Sequence, residues 1–147
     1  MRIYLDVCCL NRPFDDQSHM RIHLESEAIL AIIRQVEFGA WTWISSDAVA
    51  YEIYKTPNEE RQERLWLLEQ KANERIELTE CIFQQAATIQ ELGFTEYDAL
   101  HLAFAITAQV DVLLSTDDKL IKKAIKHQAT LKLKVANPLA WLQEVLE

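Results

Sequence analysis

Long apolar runs are missing from this sequence of 147 residues. A helix that crosses a bilayer needs roughly 20 predominantly apolar residues, and no stretch of the chain approaches that length. The sequence begins Met1-Arg2-Ile3-Tyr4-Leu5-Asp6, so the charge of Asp6 interrupts it before the apolar core of a signal peptide could form. We therefore expect a cytoplasmic protein that is neither exported nor embedded in a membrane.

Cysteine is also scarce, with three residues of which two are adjacent: Cys8, Cys9 and Cys81. An odd count with adjacent members argues against a framework of disulfides, and the spacing matches no zinc site. We expect buried free thiols in a reducing compartment.

The chain contains two glycines and three prolines, and each lies between stretches of periodic hydrophobicity. So few glycines exclude the glycine-rich loop that cradles phosphates in many nucleotide-binding proteins. No linker or internal repeat interrupts the chain. Its length fits a single domain over residues 1–147.

Positive charge is in deficit, since 15 Lys and Arg face 23 Asp and Glu and the net charge is −8. This balance argues against a passive nucleic-acid binder, which is normally basic. It does not exclude an enzyme whose carboxylates are neutralised by a metal cation. The charge is uneven, because six lysines and no acid lie between Lys119 and Lys134, whereas residues 76–118 contain no Lys or Arg.

Apolar periodicity alternates between strand-like and helix-like segments along the chain. The predicted strands lie at residues 3–8, 41–45, 76–78, 112–114 and 133–136. The predicted helices lie at residues 18–38, 47–52, 58–73, 81–92, 95–109 and 117–127, with a last helix opening at Asn137 and Pro138. The alternation predicts an α/β fold with a mainly parallel central sheet.

Four carboxylates occupy informative positions in this pattern. Asp6 lies in the first strand, and Asp117 directly follows the strand at 112–114. Sites in open parallel sheets form at the carboxyl ends of strands, so these two side chains can converge. Asp98 lies in the first turn of the apolar helix at 95–109, and Glu52 lies on the helix after the second strand.

Such a group of acids is costly alone, because neighbouring like charges in a partly buried site raise each other's pKa values. A hard divalent cation such as Mg²⁺ or Mn²⁺ removes that cost and prefers oxygen ligands. One or two such ions can activate a water for phosphodiester hydrolysis. The carboxylate pattern therefore indicates a metal-assisted hydrolase.

Each acid also has a purely structural interpretation. Asp98 and Asp117 are suited to cap helices, and Glu52 to face solvent. Asp6 is the hardest to explain this way, because an unpaired carboxylate inside an apolar strand is costly. From the residues alone, the structural interpretation is favoured for Glu52 and Asp117, and a convergent cluster remains an open alternative.

Four segments carry a family resemblance: Ile3-Tyr4-Leu5-Asp6, Tyr51-Glu52-Ile53, Tyr97-Asp98-Ala99-Leu100-His101-Leu102-Ala103, and Leu114-Ser115-Thr116-Asp117-Asp118-Lys119-Leu120. Their order and content resemble the PIN-domain family and, within it, the VapC-type toxins of prokaryotic toxin–antitoxin pairs. The third segment is the most specific. Together the four cover nearly the whole chain.

The resemblance implies a three-layer α/β/α fold and a metal-dependent endoribonuclease. It assigns Asp6, Glu52, Asp98 and Asp117 as the catalytic acids, with all but Glu52 as ligands of Mg²⁺ or Mn²⁺. It also implies that Ser115 orients the last carboxylate. The expected partners are RNA, an antitoxin protein that occludes the cleft, and a second copy of the chain in a homodimer.

Several assignments stay open at this stage. Asp118 would replace Asp117 as the fourth acid if the motif shifted by one residue. Asn11 is a candidate to point into the site. Lys119 and Lys122 are candidate RNA contacts because they follow Asp117 on one helix face, although charge alone favours a solvated face.

The alternative function, from another class, is a catalytically silent PIN-like interaction module. The complete set of acids argues against this alternative, since a site that no longer catalyses a reaction should lose acids. His101, one turn after Asp98, has the character of a hydrogen-bonded core histidine rather than a catalytic base.

Overall fold

A parallel sheet runs through the computed structural model, which describes residues 1–147. Its five strands are β1 (Arg2–Leu5), β2 (Thr42–Ser46), β3 (Glu74–Ile76), β4 (Val112–Leu114) and β5 (Val135–Ala136). The strand order is β3-β2-β1-β4-β5, and every neighbouring pair is parallel. The predicted α/β class with a mainly parallel sheet is confirmed.

Nine helices connect and cover these strands. They are α1 (Val7–Asn11), α2 (Met20–Glu37), α3 (Asp47–Tyr54), α4 (Glu59–Glu69), α5 (Glu80–Gln90), α6 (Glu96–Thr107), α7 (Asp118–Lys126), α8 (Gln128–Leu131) and α9 (Pro138–Val145), with a 3₁₀ turn at Arg12–Phe14. The layers are α/β/α, as predicted. No helix combines the length and the apolar character that a membrane span requires.

Side-chain caps explain where the long helices begin. The hydroxyl of Thr95 accepts a hydrogen bond from the Asp98 amide at 3.2 Å and starts α6. Asn58 caps α4, and Asn137 caps α9 just ahead of Pro138 at the first helical position. Such caps satisfy backbone amides that have no partner within the helix, and each is worth about 1 kcal/mol.

The third strand lies at Glu74–Ile76 rather than at residues 76–78, and two helix starts also differ from the prediction. The first strand ends at Leu5 rather than at residue 8, because the Asp6 carboxylate accepts the Val7 amide at 2.8 Å and starts α1. The sequence predicts Asp47 as the cap of the helix at residues 47–52, but Ser46 caps α3, whereas Asp47 is its first residue and accepts the amide of Leu78. In both places a short polar side chain at a strand end opens the next helix.

The expectation of three buried thiols is also wrong. Cys9 is buried and Cys8 is half-buried, but Cys81 is exposed on the first turn of α5. All three are free, as expected. Cys81 is exposed because α5 is a surface helix that buries only one face. That face carries Ile82, Ala86 and Ile89.

The core lies on both sides of the sheet and determines where the strand ends meet. Helix α6 is buried throughout residues 101–105 and packs against α5. Fully burying a Leu or Phe side chain contributes roughly 1.5–3 kcal/mol. Because β1 lies between β2 and β4, residues that follow these three strands gather at one edge of the sheet.

Candidate active site

A cleft of about 490 Å³ opens at this carboxyl edge of the sheet. Seven side chains line it: Asp6, Cys8, Glu52, Lys55, Tyr97, Asp98 and Asp117. All four carboxylates that the sequence singled out therefore face one space, although they come from four separate segments. Lys55 is the only cationic side chain among the lining residues.

Asp6 is held at the junction of β1 and β4. Its amide donates to the carbonyl of Leu114 at 3.0 Å, and its Oδ2 accepts the buried hydroxyl of Ser115 at 2.9 Å. The Ser115 hydroxyl also accepts the Asp117 amide at 3.1 Å. Ser115 thus ties two of the acidic residues together, by contacting the carboxylate of Asp6 and the backbone of Asp117.

The half-exposed thiol of Cys8 lies in the same junction. Its Sγ is 3.4 Å from Asp6 Oδ2 and 3.3 Å from the amide nitrogen of Thr116. These weak contacts pack the start of α1 against the segment after β4. Cys8 therefore fills the base of the cleft beside Asp6.

Asp98 reaches the cleft from the first turn of α6. Its pKa is raised above the usual value by burial, then by the charge of Asp6 and, to a smaller degree, by that of Asp117. A raised pKa means that the ionised form is disfavoured where it stands. The electrostatics of the cleft thus favour a positive charge near Asp98.

Glu52 is anchored from below by a buried histidine. Glu52 Oε1 lies 2.6 Å from His101 Nε2, and the hydroxyl of Tyr4 lies 2.6 Å from His101 Nδ1 and 2.6 Å from Ser46 Oγ. Glu52 Oε2 has no hydrogen-bond partner within the chain. The prediction that His101 is a hydrogen-bonded core histidine is confirmed, but the sequence did not reveal its partners.

Neighbouring carboxylates favour the protonated form of His101. Burial lowers the pKa of His101, but the hydrogen bond to Glu52 and the charge of Asp6, whose Oδ1 is 3.6 Å away, outweigh it and raise the pKa above the usual value. Burial also raises the pKa of the Tyr4 phenol. Tyr4 therefore stays a neutral hydroxyl beneath the acids.

The adjacent acids Asp117 and Asp118 point to different partners. Asp117 caps α7 by accepting the Lys119 amide at 2.9 Å, and it lines the cleft. Asp118 is outside the lining and forms a two-pronged ion pair with Arg21 at 2.8 and 2.9 Å. That hydrogen bonding lowers the pKa of Asp118. The geometry favours Asp117 as the fourth acid.

Three further candidates lie outside the cleft lining. The side chain of Asn11 is engaged elsewhere, because its Oδ1 accepts from Arg61 at 3.0 Å and its amide donates to the carbonyl of Val7. Lys119 and Lys122 are exposed on α7. The structure thus brings together the four acids, with Ser115 bridging two of them, and leaves these three side chains on neighbouring surfaces.

Sequence reasoning did not place Lys55 or Tyr97 in the cleft. A signal was present for both: Lys55 comes three residues after Glu52, which puts the two side chains on neighbouring positions of one helix face. Tyr97 immediately precedes Asp98. Neither side chain belongs to the acid pattern, so a search for carboxylates passes over them.

The donor set fits a hard cation. Carboxylate oxygens are the ligands that Mg²⁺ and Mn²⁺ prefer, and burial with mutual repulsion disfavours the ionised form of Asp98. No three His, Cys, Asp or Glu side chains lie close enough together to form a ready-made ligand set. The fit is therefore to an ion that keeps several waters and takes one or two carboxylates, which is the usual behaviour of Mg²⁺.

Comparison with known proteins bears on this arrangement. The chain is similar in fold to a chain in the crystal structure of VapBC2 from Rickettsia felis bound to a DNA fragment from their promoter, with a TM-score of 0.61 and 15% sequence identity over 93% of this chain and 98% of that one. No curated protein matches the sequence. The family model of the PIN domain matches residues 3–126, which include all four acids of the cleft. The chain therefore belongs to the PIN-domain family, a family of nucleases.

Proposed function

We propose that the protein is a metal-dependent endoribonuclease that hydrolyses RNA phosphodiester bonds and acts as the toxin of a toxin–antitoxin pair. The observation that carries this proposal is the gathering of Asp6, Glu52, Asp98 and Asp117 around one cleft of a PIN domain. A structural role explains a single acid well. It does not explain four acids on four segments that line the same space with a single lysine.

Asp6, Asp98 and Asp117 are the residues that would hold Mg²⁺ or Mn²⁺, one or two of them by direct contact and the rest through waters that the ion keeps. A bound ion would supply an activated water and stabilise the leaving oxygen in phosphodiester hydrolysis. The remaining contributions come from the chain itself. Ser115 keeps Asp6 in place through a hydrogen bond of 2.9 Å, and the backbone amides at the start of α7 keep Asp117 in place.

Among the four acids, Glu52 is the best placed to transfer a proton in the reaction. His101 holds one of its oxygens at 2.6 Å, which leaves the other free toward a water or a substrate hydroxyl. Fixing a carboxylate in one orientation favours proton transfer at a defined position. Lys55, in the same lining, is placed to neutralise a backbone phosphate that the four acids would otherwise repel.

The substrate and partners extend this proposal. The similar fold belongs to a structure of VapBC2 bound to promoter DNA, which supports an antitoxin partner for this chain. We also propose a cytoplasmic protein in which residues 1–147 form one domain and assemble as a homodimer. RNA would run past α7, where Lys119 and Lys122 are exposed beside Asp117.

A nuclease assay with a matched pair of variants tests the function. We expect the parent protein to cleave at least one of several structured and single-stranded RNAs in Mn²⁺ or Mg²⁺, and EDTA to stop cleavage. Asp98→Asn should be inactive, whereas Asp118→Asn, which changes an acid outside the cleft, should cleave. Absence of cleavage under all metal conditions would instead favour the catalytically silent interaction module.

A further inference from the structure

An apolar pocket of about 290 Å³ adjoins the acid cleft. Its walls include Asp47, Tyr51, Leu78, Tyr97, Leu100 and Phe104. Tyr97 lines both spaces, so the pocket and the acid cleft share a lining residue. Whatever occupies the pocket would therefore lie directly beside whatever occupies the cleft.

Two tyrosines form the mouth of this pocket. The rings of Tyr51 and Tyr97 are nearly parallel, at 23°, with centroids 6.2 Å apart. They remain 46% and 41% exposed, respectively, which is a large aromatic area to leave in water. The Nζ of Lys55 lies 5.2 Å from the centroid of the Tyr51 ring, and Lys55 also lines the cleft.

We propose that this pocket binds one nucleobase of single-stranded RNA, while the phosphate next to that base lies in the acid cleft. The inference rests on the proposed function and names the part of the substrate that the chain recognises. Exposed aromatic rings bind bases of single strands by stacking, and a lysine beside them suits the negatively charged backbone. Lys55 lines the cleft and lies over the Tyr51 ring, so it is placed to contact the connecting phosphate.

Asp47, in the wall of the pocket, favours a nucleobase over an apolar protein side chain as the occupant of the pocket. Asp47 is half-buried, and its Oδ2 accepts the Leu78 amide at 2.8 Å. Its Oδ1 has no hydrogen-bond partner in the chain, so it is an oriented acceptor at an apolar pocket. Base edges offer N–H donors to such a carboxylate, as the amino group of cytosine does. An apolar side chain would leave this acceptor unpaired, which is costly.

Abasic substitution tests the pocket directly. Cleavage of a short RNA in Mn²⁺ is measured while one abasic nucleotide is moved through the positions that flank the cut. For the parent protein we expect one position at which loss of the base raises KM by about 5- to 150-fold, the range that corresponds to stacking of a base on an aromatic side chain. Other positions should respond little.

Two variants of one mouth residue, Tyr51, and one matched control complete the experiment. Tyr51→Ala should raise KM for the intact RNA and remove the sensitivity to the abasic position, with a smaller effect on kcat because Tyr51 is outside the cleft lining. Tyr51→Phe keeps the ring and should behave like the parent. Tyr54→Ala is the control, since Tyr54 lies on the same helix, is 71% exposed and is not in the pocket.

The outcomes separate this inference from the proposed function. If the parent cleaves RNA and Tyr51→Ala behaves like Tyr54→Ala, the pocket does not bind a base and the inference is overturned. If Tyr51→Ala instead weakens only the binding of a co-expressed protein, the pocket holds a protein side chain and the inference is equally overturned.

If no RNA is cleaved at all, the proposed function fails, and a binding measurement then tests the pocket by itself. Quenching of 2-aminopurine fluorescence in RNA by the parent, but not by Tyr51→Ala, supports binding of a base in the pocket. Equal quenching by both proteins, or none, overturns the inference.

Discussion

His101 Nε2 lies 2.6 Å from Glu52 Oε1, although the two residues are 49 positions apart in the chain. Behind them, the hydroxyl of Tyr4 joins the other ring nitrogen of His101 to Ser46. Three core elements, β1, the end of β2 and α6, therefore converge on the orientation of one carboxylate. This arrangement makes His101 a positioning residue for Glu52.

Replacing His101 should affect turnover more than substrate binding. In His101→Leu the partly exposed Glu52 carboxylate loses its protein partner, and the buried Tyr4 hydroxyl keeps only Ser46, so stability falls by about 1 kcal/mol for each hydrogen bond that is lost. We expect a lower melting temperature and at least a tenfold loss in kcat, with KM within about threefold of the parent, because the orientation of Glu52 is lost while the RNA-binding surface is kept.

A control separates positioning from general destabilisation. Tyr4→Phe removes the hydroxyl behind His101 but keeps the contact between Glu52 and His101, so it should lower stability with a smaller loss in kcat. If His101→Leu and Tyr4→Phe lose kcat in proportion to their loss of stability, the positioning role is wrong.

Divalent metal should stabilise the fold. An ion that binds only the folded protein contributes about 2.7 kcal/mol to the free energy of unfolding at a hundredfold excess over its dissociation constant. Four acids around one cleft motivate this expectation. The melting temperature should rise in millimolar Mn²⁺ and return to its starting value with EDTA. An unchanged melting temperature in both conditions would contradict a site that binds metal without RNA.

Asp98→Asn should stabilise the metal-free protein at neutral pH. Burial and the charge of Asp6 raise the pKa of Asp98 in the folded state, so the protonated form is favoured there and ionisation costs folding stability. The cost is missing below the unfolded pKa, near 3.9, and grows as pH rises through the raised folded value. Urea unfolding at several pH values should therefore show the variant gaining on the parent as pH increases.

The same variant should lose the stabilisation by Mn²⁺, because a ligand charge is gone. Two opposite changes from one substitution distinguish a metal ligand from a structural cap. Asparagine accepts hydrogen bonds as aspartate does, so a residue that matters only as part of the helix start should show neither change. Equal stability of Asp98→Asn and the parent at every pH would contradict the electrostatic account.

The fold was predictable from the sequence because its signals are local. Strand and helix periodicity, caps such as Thr95 and the Pro138 helix start all act within a few residues. The choice between Asp117 and Asp118 was not predictable from these signals, because both follow β4 and both suit the start of a helix. Arg21, 97 residues away, binds Asp118, and of the two acids only Asp117 lines the cleft.

Asp6 and Asp117 could be proposed for the cleft from their positions at strand ends, but the hydrogen-bond network behind Glu52 could not. Asp6 and Asp117 follow neighbouring strands, a relation that parallel topology makes close. The link between Tyr4 and His101 depends on how α6 lies across the sheet, and no periodicity carries that information. Asn11 fails as a cleft residue for the same reason, since Arg61 from α4 binds its side chain.

A matched pair of variants tests whether Asp117 or Asp118 is the fourth acid of the active site. Asp117→Asn should abolish cleavage while preserving the helix start, because asparagine caps helices about as well as aspartate. Asp118→Asn breaks the exposed pair with Arg21 and should leave cleavage largely intact. Both proteins should remain folded by circular dichroism. Loss of activity in Asp118→Asn with retention in Asp117→Asn would reverse the assignment.

The path of RNA outside the cleft can be read from the salt dependence of binding. Each phosphate contact that is lost should reduce the slope of log affinity against log salt by about 0.7 for a single strand. Lys55→Ala should remove one contact inside the cleft. The double change of Lys119 and Lys122 to alanine should remove about two if RNA also crosses α7, and so lower the slope by about 1.4. The stabilisation by Mn²⁺ should survive both changes, because the carboxylates remain.

Lys71→Ala is the control, since Lys71 is paired with Glu37 and is not in the cleft lining. If only Lys55→Ala changes the slope, α7 is a solvated surface, and RNA leaves the cleft on the side of Tyr51 and Tyr97.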